Sequence, residues 1–436
     1  MQALAANEIV REARLKYLLV VCIFGLGASP VRLGGQGVES PLLIKMHVRA
    51  PEFPLPTPAI SFTRSEALPQ QSPTAGRGFP QSPESSQPSF GDESPAARPQ
   101  VAWINSPPLS MSKLRGKVVL IDFWEYTCIN CIRTLAENKK WYERYHPYGF
   151  EIVGVHDPEF DIAYPVRNVK AAVKRFGLPY PVVVDDWFSI WTAYHSSSWP
   201  NRFLVDAKGY IRYNRIGEGG DSAMERAIQK LLKEAHPGLQ FPASYTIPPE
   251  EDAFAPSCGI STPEMYVGYM HGRGILANPQ GYRKGKTLHY KLPVRIEDGH
   301  AAVSGPWETD NGTNPDQSNG MIYRGKKKGD APSTDELAMR YHARELYAVM
   351  NVEHGHPSRV YIRQDGKDLT PQNKGVDVRF DREGRSYIEV REPRMYYLVS
   401  NPAFGSHKVE LFPTRAGLTI NSFTFGNNCQ IDFPHL

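Results

Sequence analysis

The feature that most constrains the fold is a nearly continuous run of strand-forming residues at 117–124, with Cys128 and Cys131 directly after it. An unbroken apolar run predicts a central strand that is buried on both faces. After Cys131 the apolar residues recur at helical spacing as far as Tyr145, and Pro147 ends the segment. We therefore predict a buried strand followed by a helix whose first turn carries both cysteines.

This placement of the cysteines predicts redox chemistry. The unpaired amide groups and the dipole at a helix N-terminus favour a thiolate, so we expect a lowered pKa at Cys128 and assign it as the nucleophile. Cys131 is within disulfide reach and would resolve a mixed disulfide formed by Cys128. The alternatives are a purely structural bridge and half of a zinc site, but the sequence has no second Cys-X-X-Cys motif and no suitably spaced histidine pair. We expect a redox-active pair, with no metal and no cofactor.

Strand and helix signals alternate after the motif. They comprise a strand at 150–156, a helix stopped by Gly177, a strand at 181–185, a short helix at 187–194, a hairpin formed by 202–206 and 210–216, and a final helix. Ser222, with Glu225 three residues later, predicts a capping box at the start of that final helix. This order is the thioredoxin arrangement, an α/β fold, over residues 101–237.

Several motifs in this region resemble the periplasmic thioredoxin-like proteins of the TlpA class. They are Trp103-Ile104-Asn105-Ser106, residues 116–124, the cysteine pair, Trp199-Pro200 and Gly217-Glu218-Gly219-Gly220. The Thr127-Cys128-Ile129-Asn130-Cys131 form, together with residues 154–156 and 158–160, is most similar to the C-terminal part of the DipZ family. The resemblance in this domain covers residues 101 to about 237.

The resemblance implies roles for residues outside the cysteine pair. Pro200 would be a cis-proline that opposes the cysteines, and with Trp199 it would present the backbone edge that docks a substrate peptide. Asp122 would lie beneath Cys131 and help to deprotonate it, because burial raises the pKa of a carboxyl towards neutrality. Glu125 and Tyr126 would either contact substrate or form a solvated rim, and the sequence does not decide between these roles.

A second folded domain is predicted at residues 262–436, after a linker at 238–261. Short alternating segments separated by turn signals predict strands at 288–292, 345–352, 359–363, 376–380, 386–390, 394–400, 408–412 and 422–425. This pattern predicts an antiparallel, jelly-roll-like β-sandwich. Residues 263–269, 395–399 and 423–426 resemble the carbohydrate-binding-module-like sandwich that follows the thioredoxin domain in DipZ proteins.

The function of the sandwich is a separate question. Aromatic residues could form a platform for a glycan ligand, although aromatics in a sandwich are more often core, so we favour a structural or docking role. These residues are Tyr266, Tyr269, Trp307, Tyr323 and Tyr361. Cys258 and Cys429 lie near the two ends of the domain and could form a disulfide, with two unpaired thiols as the alternative.

The N-terminal region predicts export. An apolar run at 17–28 follows Arg11, Arg14 and Lys16, which is typical of a signal peptide or signal anchor over residues 1–29. Residues 30–100 are rich in proline and serine and predict a disordered tether. We therefore expect a periplasmic or cell-envelope protein. A net charge of +4 among 96 charged residues disfavours nucleic acid as a partner.

These observations predict an exported thiol-disulfide oxidoreductase that acts on disulfide-bonded proteins, and the resemblance to TlpA-like proteins implies the reductase direction. The sequence lacks the multi-helix membrane domain of full DipZ proteins, so the resemblance implies a separate membrane electron donor of the DsbD or CcdA type. One alternative is a thioredoxin-fold peroxidase, but that chemistry typically has Pro and Thr seven and three residues before its cysteine, where this chain has Ile121 and Glu125. The other alternative is a protein that binds glycan or cell-wall material through its sandwich.

Overall fold

The structure of the protein is a computed structural model. It describes residues 43, 48–53, 101–245, 260–269, 272, 274–310, 320–325 and 332–426, all within one compact unit that comprises residues 41–436. The predicted signal segment, most of the predicted tether, Cys258 and Cys429 lie outside the described residues.

The first domain is built on a six-stranded sheet whose centre is completely buried. Its strands are β1 (Ala102–Ile104), β2 (Val118–Trp124), β3 (Phe150–His156), β4 (Val182–Val184), β5 (Asn201–Val205) and β6 (Ile211–Ile216). Their order across the sheet is β1-β4-β3-β2-β5-β6. Strand β2 pairs in parallel with β3 and antiparallel with β5, and every residue of β2 and β3 is buried. The sheet order and the helices around it confirm the predicted thioredoxin fold.

Helices cover the sheet because successive residues of β2 face opposite sides. Val118, Leu120 and Trp124 belong to a core that also contains residues of the flanking helices, whereas Val119, Ile121 and Phe123 belong to a second core on the other face. The helices are α1 (Ile129–Tyr145), α2 (Val166–Phe176), α3 (Ser189–Ala193) and α4 (Asp221–Ala235). In the part of the chain that the structure describes, no helix combines the length and the apolar character needed to cross a membrane.

The predicted capping box at Ser222 is wrong. Helix α4 begins at Asp221, and its N-cap residue is Gly220, which has a φ of +69° and therefore needs a residue without a Cβ. Glu225 does not reach back to cap the helix. Its side chain is buried and accepts a hydrogen bond of 2.6 Å from the hydroxyl of Tyr145, so tertiary packing uses the residue that the local motif assigned to a cap.

Residues 48–53 were predicted to lie in the tether, but the structure packs them against the thioredoxin-like domain. The N–H of Ala50 donates to the carbonyl of Gly209, and the N–H of Ile211 donates to the carbonyl of Val48, so this segment extends the sheet beside β6. Phe53 is 2% exposed and lies edge-on to Trp103, with ring centroids 5.6 Å apart. For these six residues the tether prediction is wrong: a buried aromatic ring, two backbone hydrogen bonds and a hydrogen bond from the N–H of Met111 to the Glu52 carboxylate hold the segment against the domain.

The second domain is a β-sandwich, as predicted. Its described strands are β7 (Met265–Tyr266), β8 (Thr287–Tyr290), β9 (Ala301–Val303), β10 (Gly305–Thr309), β11 (Met321–Tyr323), β12 (Leu337–Val352), β13 (Ser358–Gln364), β14 (Lys367–Asp368), β15 (Arg379–Phe380), β16 (Ser386–Val390), β17 (Arg394–Pro413) and β18 (Leu418–Gly426). The segments predicted as two strands at 394–400 and 408–412 form the single strand β17, which pairs with β12 along most of its length. Irregularities in that pairing lie between Ala343 and Glu345 and between Leu346 and Tyr347.

The aromatic residues considered as a glycan platform lie mostly in the core of the sandwich. Trp307, Tyr323 and Tyr361 are 0%, 1% and 3% exposed, and Trp307 packs against Tyr323 with ring centroids 5.2 Å apart. Tyr266 and Tyr269 are partly exposed. Three of the five candidate rings therefore cannot stack on a surface ligand.

The packing of residues 48–53 gives a testable prediction about stability. Replacing Phe53 by Ala should lower the free energy of unfolding of the thioredoxin-like domain by about 3 kcal/mol, because a buried aromatic ring and its contacts are lost. The measurement is urea unfolding of the full chain. Val48→Ala is the matched control, since Val48 is 46% exposed and should change stability by less than about 0.5 kcal/mol. Equal stability of Phe53→Ala and the parent would contradict the packing.

Candidate active site

The two cysteines lie at the start of α1, as the sequence predicts. Cys128 is the N-cap residue, and its sulfur accepts a hydrogen bond of 3.2 Å from the N–H of Cys131. The Cys131 thiol donates to the same sulfur, with the two Sγ atoms 2.6 Å apart. Cys128 is half-buried, whereas Cys131 is 0% exposed. Of the two cysteines, only Cys128 therefore retains exposed surface.

The expected lowering of the Cys128 pKa is wrong. Burial raises the pKa of Cys128, hydrogen bonds from Cys131 lower it, and the charges of Glu159 and Glu125 raise it further. Burial also raises the pKa of Cys131 well above its usual range, and the neighbouring Cys128 and Asp122 add to that increase. The helix N-terminus does face the sulfur, but desolvation and nearby carboxylates outweigh it. Both thiols hold their protons more tightly than an exposed cysteine does.

Asp122 lies on β2 and faces the same side of the sheet as α1. Its carboxylate is 0% exposed, and Oδ2 accepts a hydrogen bond of 2.8 Å from the side chain of Asn138. Burial raises the Asp122 pKa to about 6, although the facing guanidinium of Arg202 and the bond from Asn138 lower it. Oδ1 has no hydrogen-bond partner among the described residues. Asp122 is therefore a buried carboxyl that titrates near neutral pH and has one oxygen free to accept a proton.

The Trp199–Pro200 peptide bond is cis, as predicted. Pro200 is buried, and its carbonyl accepts a hydrogen bond of 2.8 Å from the N–H of Gly217. Trp199 is half-buried and packs against Trp191 with ring centroids 4.6 Å apart. Trp199 and Cys128 also pack against the same apolar core on the α1 side of the sheet. Their role in docking a substrate remains a prediction.

Glu125 and Tyr126 do not form a rim that a substrate could contact. Both are 0% exposed. The Glu125 carboxylate accepts a hydrogen bond of 2.6 Å from the N–H of Thr127 and a second from its hydroxyl, and the Tyr126 hydroxyl donates to the carbonyl of Ile162. The turn after β2 directs both side chains inward, so the prediction that they contact substrate is wrong.

The β-sandwich contacts the first turn of α1. Ile129, which lies between the two cysteines, is 9% exposed and belongs to an apolar cluster with Tyr347, Val349 and Met395 of the sandwich. Phe160 of the first domain completes that buried cluster. One side of the dithiol site is therefore covered by the second domain.

Arg133 joins the two domains through charge. Its guanidinium lies 3.3 Å from the Glu218 carboxylate of the first domain and 3.0 Å from the Glu345 carboxylate of the second. It also donates to the hydroxyl of Tyr347, whose ring stacks on Tyr397 with centroids 4.4 Å apart. The Arg133 side chain is only 15% exposed, so this network is largely removed from water.

Two family matches cover the two domains separately. Residues 99–214 match the AhpC/TSA family, and residues 262–426 match the family described as "Thioredoxin like C-terminal domain". Protein DipZ from Mycobacterium bovis is 30% identical over 331 residues, which is 74% of this chain and 41% of that protein. The thiol-disulfide oxidoreductase ResA from Bacillus thuringiensis is 30% identical over 123 residues, 28% of this chain and 68% of that protein. The chain belongs to the DipZ- and TlpA-like family of thioredoxin-like proteins. Its first domain is that of a thiol-disulfide oxidoreductase.

Solved structures give a partial likeness. StoA from Bacillus subtilis is 22% identical with a TM-score of 0.26, and the match covers 30% of this chain and 98% of that one. A thiol-disulfide isomerase from Corynebacterium glutamicum is 26% identical with a TM-score of 0.28, covering 30% of this chain and 90% of that one. The assignment to the DipZ- and TlpA-like family is based on the sequence relatives alone.

Three residues of this DipZ-like site were not predicted from the sequence. Asn138 carried a signal, since it lies seven residues after Cys131 on the buried stripe of α1, where a polar residue is unusual. Arg202 lies directly opposite Asp122 in the register of β2 and β5, which the sequence does not show. No local sequence pattern indicated the role of Arg133, because its partner Glu345 is 212 residues away in the chain.

The raised pKa of Asp122 predicts a pH-dependent gain in stability for Asp122→Asn. The folded protein binds this proton more tightly than the unfolded chain, whose Asp has a pKa of 3.8, so stability is lost as the pH rises from about 4 through about 6. The difference corresponds to about 3 kcal/mol at pH 7, and the variant should gain about that amount there and almost nothing at pH 4. Urea unfolding at both pH values is the measurement. An equal change at the two pH values would argue against a buried, titrating Asp122.

The contacts of Arg133 with Glu218 and Glu345 predict that Arg133→Met lowers the free energy of unfolding. Removing the guanidinium leaves the Glu218 and Glu345 carboxylates buried without their partner, which should cost about 2–4 kcal/mol in thermal unfolding experiments. Arg175→Met is the control. Its contact to Glu392 is also between the domains, but the two side chains are 29% and 50% exposed, so the expected loss is below about 1 kcal/mol. Similar losses in both variants would show that the network has no special role.

Proposed function

We propose that this protein is an exported thiol-disulfide oxidoreductase that reduces disulfide bonds in other proteins. The observation that carries the proposal is the unequal exposure of the two cysteine residues at the start of α1, with Cys128 half-buried and Cys131 0% exposed. A nucleophile has to reach its substrate, whereas a resolving cysteine has only to reach the nucleophile. The ResA match supports this activity for the first domain.

The reaction follows from that asymmetry. The Cys128 thiolate attacks one sulfur of a substrate disulfide, the S–S bond breaks, and the departing sulfur takes up a proton. Cys131 then loses its proton to Asp122 and attacks the Cys128 sulfur, which releases the second substrate thiol. Two electrons pass to the substrate, and Cys128 and Cys131 end as a disulfide. Asp122 suits the proton transfer because its pKa of about 6 lies near neutral pH.

The reductase direction is supported by the raised thiol pKa values. A dithiol becomes a strong oxidant when its reduced form is stabilised, and a strongly stabilised thiolate does this in oxidising members of the fold. In this site burial disfavours the thiolate at Cys128 and at Cys131. The reduced form lacks that stabilisation, so the pair is suited to giving electrons.

The setting proposed for this chemistry is the cell envelope. It is supported by the apolar run at 17–28 after three basic residues, which lies outside the described residues. A substrate would dock beside Trp199 and Pro200, next to Cys128. The oxidised pair would be reduced again by a membrane electron donor of the DsbD or CcdA type, because each cycle consumes two electrons.

We assign the β-sandwich a docking role beside the dithiol. The burial of Ile129 by Tyr347, Val349 and Met395 makes the sandwich one wall of the site. Glycan binding is the weaker assignment, since three of the five aromatics that would form a platform are in the core. A peroxidase is the other candidate, and the AhpC/TSA match is the observation in its favour.

A trapping experiment tests the proposed function. In Cys131→Ser the mixed disulfide at Cys128 cannot be resolved, so incubation with a cell-envelope extract should leave substrate proteins covalently bound and releasable by dithiothreitol. Cys128→Ser is the control and should trap nothing. The parent chain should reduce a protein disulfide and should consume hydrogen peroxide at less than about a hundredth of that rate. Equal capture by both variants, or peroxide turnover that equals disulfide turnover, would contradict the assignment.

A further inference from the structure

Two ionisable side chains with no exposed surface lie together behind Cys128. Glu125 follows β2 and His156 is the last residue of β3, and the register of the two strands places Trp124 beside His156. Both side chains are 0% exposed, and Nε2 of His156 lies 3.7 Å from Oε1 of Glu125. The adjacent ends of β2 and β3 therefore bring an acid and a base together inside the protein, and Glu125 lies three residues before Cys128.

This pair retains unused hydrogen-bonding capacity. Thr127 donates two hydrogen bonds to Oε2 of Glu125, but Oε1 has no hydrogen-bond partner among the described residues. The same is true of both ring nitrogens of His156. The imidazole is held by aromatic contacts instead, stacked 5.5 Å from the Tyr126 ring and edge-on to Trp124 at 5.4 Å. A buried charge without a partner is costly, so each member of the pair is the natural counter-charge of the other.

Glu125 is also linked directly to the nucleophile. Its carbonyl accepts a hydrogen bond of 3.3 Å from the N–H of Cys128, and its carboxylate fixes Thr127, the residue before Cys128. The Glu125 charge is one of the influences that raise the pKa of Cys128, after burial and Glu159. A change in the charge of Glu125 is therefore felt at the sulfur.

We propose that Glu125 and His156 are positioning residues that act as one pair, in which the positive charge that His156 can carry offsets the Glu125 charge that faces Cys128. With both members present, the Cys128 thiol ionises beside a balanced pair. With His156 removed, the Glu125 carboxylate is left to oppose the thiolate. The proposal relies on the proposed function only in taking Cys128 as the nucleophile.

Other charged groups face the pair and are part of its field. The carboxylates of Glu159 and Glu264 interact with Glu125, and that of Asp186 interacts with His156. Tyr126 and Cys128 complete the set. Of these groups, His156 is the one whose charged form is positive.

The test measures the ionisation of Cys128 rather than turnover. The full chain carrying Cys131→Ser is alkylated with iodoacetamide at a series of pH values, and the modified Cys128 peptide is quantified by mass spectrometry. Glu125→Gln removes a negative charge and should lower the midpoint of reactivity by about one pH unit. His156→Gln removes the balancing positive charge and should raise the midpoint by a similar amount. If neither variant shifts the midpoint, the assignment of disulfide reduction is unaffected. If the chain does not reduce disulfides, the pH dependence of Cys128 alkylation still tests this proposal.

Midpoint shifts in opposite directions distinguish a charge effect from a structural one, because a structural disturbance would shift the midpoints of both variants in the same direction. Shifts in the same direction, or no shift in either, would overturn the proposal. Glu137→Gln on α1 is the matched control for a lost carboxylate and should leave the midpoint unchanged, since Glu137 pairs with Lys140 on the outer part of the helix.

A second measurement keeps the proposal testable where a single variant fails to fold. The double variant Glu125→Gln with His156→Gln removes both charges, so its midpoint should lie nearer to that of the parent than the midpoint of either single variant does. A double variant whose midpoint shift equals or exceeds that of a single variant would contradict charge compensation between Glu125 and His156.

Discussion

The complete burial of β2 is the constraint on which the site depends. A strand that is covered on both faces has to end inside the protein, so the turn that follows it begins in a low-dielectric environment. Asp122 within the strand and Glu125 directly after it are both 0% exposed for this reason. The chain emerges only at Cys128, which is half-buried. Cys128, the proposed nucleophile, therefore lies at the boundary between a dry interior that contains carboxylates and the protein surface.

The contact between α1 and the β-sandwich links the redox pair to the second domain. Ile129 lies between the cysteines and Arg133 lies two residues after them, and both contact the sandwich through Tyr347. In the proposed reaction the Cys128–Cys131 bond opens and closes in the same turn of helix. If that bond changes the strength of the contact, the contact must change the stability of the bond by the same free energy, because coupling between two sites is reciprocal. The sandwich is thus placed to influence the redox pair without contributing a sulfur.

Local pattern predicted the elements of the site, and tertiary packing decided their chemistry. The buried strand and the cysteines at the start of a helix follow from runs of residues that are close in sequence, whereas the cis bond before Pro200 was implied by the family resemblance. The inward orientation of Glu125 and Tyr126 could not be predicted, because it depends on β3 and on the loop that carries Ile162. The predicted direction of the Cys128 pKa shift was wrong for the same reason. A helix N-terminus is visible in the sequence, whereas the desolvation that outweighs it is supplied by distant residues.

A thiol that holds its proton tightly is at first sight a poor nucleophile. Each unit by which the pKa rises above the ambient pH reduces the thiolate fraction about tenfold, but the more basic thiolate attacks about threefold faster, so the net loss is about threefold. In the proposed reductase cycle this kinetic loss comes with a reduced form that is not stabilised. Cys131 is fully buried, and the oxygen of Asp122 that has no hydrogen-bond partner among the described residues is the acceptor proposed for its proton. Under that proposal burial favours electron donation by both sulfurs, and Asp122 keeps the second step accessible near neutral pH.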